Sequence, residues 1–181
     1  MLRQIQLWFL LLISMMLIVP SAQAASRQEI DAKVREALDT LYTNSSSAKS
    51  LSRKAAGILV FPEVYKAGFG IGGEYGEGSF LRGGKTLGYY SLVSASVGLQ
   101  FGAQMKAEVI LFMTKASMNN FLNSDGWEAG VDGSVAVATL GAGGEIDSQT
   151  AQQPIIGFIF SNKGLMYNLT IEGAKITKID K

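Results

Sequence analysis

Five acids in the middle of the chain, Asp125, Glu128, Asp132, Glu145 and Asp147, come nearest to residues whose type and spacing do chemistry. A carboxylate pair can run glycoside hydrolysis, and a carboxylate cluster can hold Ca²⁺. Their spacing matches no calcium loop, and Asp and Glu among glycines serve more often as turn and cap residues. The rest of the usual repertoire is closed. The 181-residue chain contains no His and no Cys, which removes a Ser-His-Asp relay, a thiolate nucleophile, a His/Cys zinc site and any disulfide. The string Gly68-Phe69-Gly70-Ile71-Gly72-Gly73 contains G-x-G-x-x-G. A dinucleotide site needs that motif between a strand and a helix, whereas here the glycines continue into strand alternation. The expectation is a protein without catalysis, metal or cofactor, with a carboxylate-dependent hydrolase as the weakest of three readings.

Composition narrows the partner. Lys+Arg 16 against Asp+Glu 15 provides no electrostatic footprint for nucleic acid, and 48% hydrophobic residues with 17% charged ones describe a folded chain. Residues 1–24 read as an address. Arg3 precedes an apolar run from Leu7 to Val19, Pro20 breaks it, and Ala22-Gln23-Ala24 supplies the small residues that signal peptidase reads. The run is short of the about 20 residues that a permanent helical span needs. Cleavage after Ala24 is therefore expected, leaving residues 25–181 as one periplasmic or secreted domain with no cysteine for lipid attachment.

The elements of that domain follow from its periodicities. Ser26 and Glu29 form a capping-box pair ahead of Ile30, Val34, Ala37, Leu38 and Leu41, which predicts an amphipathic helix over 27–43. Its charges are mixed, so it is expected to pack on a sheet rather than lie on a membrane. Ser50 is expected to cap a short helix over 51–56 that ends at Gly57. From there the period changes to two. Between Leu87 and Met105 the odd positions are mostly apolar and the even ones mostly Gly, Ser, Thr and Gln, so the odd face is expected against a core. A run that long must bend, with Gly98 and Gly102 the expected places. Gly68, Gly70, Gly72, Gly76 and Gly78 share one parity, and a face so bare suits the close approach of a backbone, a barrel bend or a ligand. Gly83-Gly84 predicts a hairpin. Strands are further expected at 109–113, 131–145, 155–160, 165–171 and a last one ending near Ile179, with a short helix over 114–122. The fold class is α+β: one β-rich domain with N-terminal helices on a strongly curved or barrel-like, mostly antiparallel, Gly-rich sheet.

Two groups of residues suit a surface. Lys49, Arg53, Lys54 and Lys66, against Glu63 alone, make 49–66 the most basic stretch of the mature chain and a candidate contact for anionic headgroups. Tyr65, Tyr75, Tyr89, Tyr90, Tyr167 and Trp127 are candidate half-wet anchors, although a place in the core is the commoner use for most such aromatics, and Trp127, between Asp125-Gly126 and Glu128, is the one expected to be exposed.

The blocks AGILVFP (56–62), GFGIGGEYGEG (68–78), SVGLQFGAQ (96–104), FMTK (112–115), GAGGE (141–145) and SNKGL (161–165), with Glu172-Gly173, together resemble the SYLF domain family over about residues 26–179. Eukaryotic members of that family bind phosphoinositide membranes and bind or bundle actin. The resemblance therefore implies affinity for anionic phospholipid or another lipid, with peripheral membrane contact. Actin is not a partner that an exported bacterial protein meets. On this reading Lys49, Arg53, Lys54 and Lys66 draw headgroups while Phe69 and Ile71, in the Gly-rich strand, receive acyl groups. A small Gly-rich outer-membrane barrel is the alternative, because export, glycine and alternation also describe one.

Overall fold

The computed structural model describes residues 25–139, 148–161, 171 and 173–181, without the side chains of 69–71, 96–103 and 139. The chain opens with helix α1, Arg27–Asn44. Ser26 starts it as predicted: its Oγ accepts from the Glu29 backbone N–H at 3.2 Å, and the Glu29 carboxylate accepts from the Ser26 backbone in return. Ile30, Val34, Ala37 and Leu41 form its buried stripe. Helix α2 spans Ser46–Ser52, several residues before the expected 51–56. Ser45, not Ser50, is the cap. Its extended backbone ends α1, its N–H donates to the Leu41 carbonyl, and its Oγ accepts from the Ala48 N–H at 3.1 Å. By Ala56 the backbone already bonds to the sheet, at the Phe112 carbonyl.

Strand β1 runs Gly57–Arg82 and β2 runs Lys85–Phe112, paired antiparallel along their length. Gly83 and Gly84, with φ of 57° and 77°, make the tight turn between them, a conformation that only glycine adopts at little cost. Helix α3, Lys115–Leu122, follows on a Thr114 cap. Then come the short strands β3, Trp127–Glu128, and β4, Ala136–Thr139, and the strands β5, Ile155–Phe160, and β6, Lys175–Ile179. The other edge of β2 is divided: residues 89–93 pair with β6, which pairs with β3, and residues 107–112 pair with β5, which pairs in parallel with β4. With the two halves of β1 and of β2 counted separately, the described residues form an eight-stranded, mostly antiparallel, strongly curled half-barrel with three α-helices. The expected strand over 165–171 and most of the end of the one over 131–145 lie outside the described residues.

The curl is built into β1. A Cβ at Gly76 would meet the Glu63 carbonyl oxygen at 2.9 Å and Val64 Cγ2 at 2.9 Å, and one at Gly78 would overlap the Val60 carbonyl. The second half of β1 therefore lies directly on the backbone of the first. Of the three uses open to the bare face, backbone approach is the one realised at Gly76 and Gly78. The register shifts between Phe69 and Ile71, where their partners are Phe101 and Val97, so the extra residues of β2 fall at 98–100. Gly98 lies in that bulge; Gly102 pairs in register with Gly68.

Helix α1 covers the seam. Its stripe packs with Val60 from the first half of β1, Leu81 from the second, and Val109 and Leu111 of β2. Asp31 accepts hydrogen bonds from Thr86 Oγ1 at 3.0 Å and Tyr89 Oη at 3.1 Å, while Lys33 reaches Glu63 at 2.9 Å. The inner face holds a second core around Phe80, Tyr90, Phe112, Phe121 and Trp127, with Phe112 and Phe121 stacked at 4.9 Å.

One expectation is reversed. In the first part of β2 the even residues Tyr90 and Leu92 are buried, and the odd residues Leu87, Val93 and Ala95 are exposed. Tyr90 and Leu92 are the large residues of the even set, and they join Phe80 and Phe121 in the inner core, which leaves the odd residues on the convex side.

Candidate functional site

The convex face left by this reversal is the first component. Tyr75 and Val93 are directly paired across β1 and β2, each 51% exposed, and Tyr65, paired with Met105, is 54% exposed. Ala67, Gly73 and Ala95 lie exposed between and beside them. Phe69 and Ile71 occupy β1 between Tyr65 and Tyr75; their side chains lie outside the described residues.

Trp127 does not join this surface. It is 1% exposed, 6.2 Å from Phe112 and 5.9 Å from Phe121. Gly126, at φ 118°, turns the chain so that Trp127 enters the core while its acidic neighbours stay outside. Tyr90 is buried as well, Tyr89 is tied to Asp31, and Tyr167 lies outside the described residues.

The second component is cationic. Lys49, Arg53 and Lys54 are all exposed on α2 and the turn after it, and no acid occurs between Asp39 and Glu63. None of the three makes an ion pair among the described residues. Lys66 is placed apart from them. Its Nζ pairs with Glu74 at 3.2 Å, the side chain 14% exposed, at the outer end of an ion chain that runs into the roll. Glu74 also contacts Lys106 at 2.8 Å, and Lys106 contacts Glu108 at 2.8 Å. Glu108 is fully buried, and neither of its oxygens has a well-aligned hydrogen-bond donor among the described residues. Burial opposes the charge on Lys106, but Glu108 and Glu74 outweigh it and hold its pKa above the ordinary value. Burial raises the Glu108 carboxyl, and Lys106 pulls it down without prevailing. Lys106 and Glu108 were not among the residues singled out from the sequence; the signal that could have found them is their parity with Ile110 and Phe112, which lie on a core face.

The five mid-chain acids do not assemble a catalytic pair where they are described. Asp132 Oδ2 accepts from the Glu128 backbone N–H at 2.7 Å, which is a turn role, and Glu145 and Asp147 lie outside the described residues. The G-x-G-x-x-G string lies wholly within β1, with no helix after it. The outer-membrane barrel fits poorly too. Such a barrel is apolar outside and polar within, whereas this roll holds its aromatic core inside and a helix outside.

A groove of about 260 Å³ borders α1, with Tyr65 and Tyr75 in its wall. Tyr65 Oη donates to Glu63 at 3.0 Å and Tyr75 Oη donates to Glu77 at 2.8 Å. Burial, and then the Glu77 carboxylate beside it, push the Tyr75 hydroxyl up to about 12. This raised value favours the folded state below about pH 10, and the contribution is lost as pH rises through about 12. Alkaline titration by tyrosinate absorbance is expected to show a late component near pH 12 that Tyr75→Phe removes; a variant titrating like the parent there contradicts the assignment.

A family model described as Ysc84, Las17-binding protein actin regulator, matches residues 93–181. The match takes in the blocks from 96 onward; those at 56–62 and 68–78 precede it. No curated protein matches the chain.

Proposed function

With residues 93–181 belonging to the Ysc84 (SYLF) domain family, we propose that the protein is a non-enzymatic lipid-binding protein of the bacterial envelope, exported by cleavage after Ala24. The observation that carries the reading is the outward-facing row of Tyr65, Tyr75 and Val93, each more than half exposed on the convex face of the sheet. Amphipathic rings favour the boundary between headgroups and acyl chains, so the two tyrosines suit peripheral insertion. Phe69 and Ile71, between them in β1, are assigned to the same contact.

Lys49, Arg53 and Lys54 supply the electrostatic part. Each is free to meet a phosphate, at about 1 kcal/mol per basic residue near an anionic surface. Lys66, already paired with Glu74, holds the strand beside the contact and meets a headgroup only at its exposed edge. The actin-regulator part of the family description is not carried over, because actin is absent from the compartment proposed here.

Liposome flotation tests this. The protein is expected to float with anionic vesicles at low salt and to be released as salt rises. Joint replacement of Lys49, Arg53 and Lys54 by alanine is expected to weaken partitioning about a hundredfold, the product of three losses of about 1 kcal/mol. Equal recovery on neutral and anionic vesicles at every salt concentration would sink the electrostatic contact.

A further inference from the structure

The groove beside α1 does not balance its charge. Three carboxylates surround it, from Glu29, Glu63 and Glu77. Two lysines answer them. Lys33 bridges Glu29 and Glu63, each at 2.9 Å, and Lys181 reaches Glu77 at 2.7 Å. Both ends of this last pair are largely buried, with 9% of the Lys181 side chain and 13% of the Glu77 side chain accessible. It also lies close enough to Glu29 for the two charges to oppose each other's ionisation. Ala25 lines the same groove, and its backbone N–H donates toward the Glu77 carboxylate.

We propose that this groove is the docking site of the chain's own amino terminus: cleavage after Ala24 converts the Ala25 amide into an α-ammonium that pairs with Glu77 and supplies the missing positive charge. The proposal rests on the export reading, since that cleavage creates the group. An amide N–H in that position offers one donor and no charge; an ammonium offers three donors and a full charge. The pair joins the start of α1 to the second half of β1, next to the point where Lys181 joins the same carboxylate from beyond β6. Removal of the leader then does more than release the protein. It completes the ion set that fastens α1 over the seam.

The test uses the full chain and its natural processing. Gly-Gly inserted between Ala24 and Ala25 leaves the cleavage site in place but moves the new ammonium away from Glu77. The parent and the insertion are compared in the native and the Glu77→Gln backgrounds. The insertion is expected to lower Tm by about 3 °C in the native background and by less than about 1 °C with Glu77→Gln. Acylation of the α-amine at pH 7 is expected to run about tenfold slower in the native protein than in Glu77→Gln, which corresponds to one pKa unit. Equal Tm losses in both backgrounds, or none in either, overturn the docking. Intact mass separates the two failures, because material that retains residues 1–24 overturns the cleavage itself.

Discussion

Lys106→Met is expected to destabilise the domain by about 3–5 kcal/mol, because it leaves buried carboxylates facing each other without the cation between them. Lys106 lies between Glu74 and Glu108, 2.8 Å from each, with 1% of its side chain accessible. Methionine fills the volume but cancels neither charge. Glu74 keeps Lys66 as a partner at 3.2 Å, whereas Glu108 loses the one cation in contact with it among the described residues. The double variant Lys106→Met/Glu108→Leu is therefore expected to recover much of the loss. Urea unfolding of the parent and the two variants reads this directly; a Lys106→Met loss below about 1 kcal/mol would show that water reaches the ion chain.

The same chain has a pH signature. Burial places the folded pKa of the Glu108 carboxyl above its ordinary 4.5. The stability linked to this group is then fully present below that value and is lost as pH rises through the folded pKa. Glu108→Gln, which cannot ionise, is expected to flatten that part of the pH profile at less cost than Lys106→Met.

Gly78→Val is expected to cost about 3 kcal/mol or more and to open the seam of the roll. The added Cβ would overlap the Val60 carbonyl and approach Phe61 Cδ1 at 2.8 Å. A side chain could turn away; the backbone of β1 cannot move without breaking its pairing to β2. Gly73→Ala is the matched control, because its Cβ would sit an ordinary 3.5 Å from the Ser94 carbonyl oxygen. Thermal unfolding that shows equal losses for Gly73→Ala and Gly78→Ala would refute the close approach as the reason for the glycine.

The parts of this fold legible in the sequence are those set by local chemistry. Ser26 with Glu29 marked the start of α1, Gly83-Gly84 marked the turn, and the change of period at Gly57 marked the start of the sheet. The family resemblance was legible too, and the match over 93–181 agrees with it. What local pattern does not carry is which face of a strand turns inward once the sheet rolls. Apolar odd residues in β2 pointed to a core, yet Leu87 and Val93 face out, because the even face, with Tyr90 and Leu92, is the one that meets the inner aromatic core. Trp127, exposed by the polarity of its neighbours, is buried by the geometry of one glycine. Of the candidate site, Lys49, Arg53 and Lys54 were legible as a basic run, while the diversion of Lys66 to Glu74 depends on a partner brought near by the bulge and the roll. The chain of Lys106 and Glu108 was hidden because charges on a core face run against the usual rule.

The continuous hairpin also sets how the molecule must assemble. Its pairs extend from Arg82 with Lys85 at the turn to Gly57 with Phe112 at the far end. Zipped flat, a strand such as β1 would be about 85 Å long at ordinary strand rise. A ribbon of that length exposes both unpaired edges and both apolar faces until it rolls, and edges of this kind recruit other chains. Rolling is therefore the step at which productive folding competes with aggregation. Substitutions at the seam are expected to lower the yield of soluble protein from a refolding reaction more steeply than equally destabilising substitutions under α3, and the gap should widen with protein concentration.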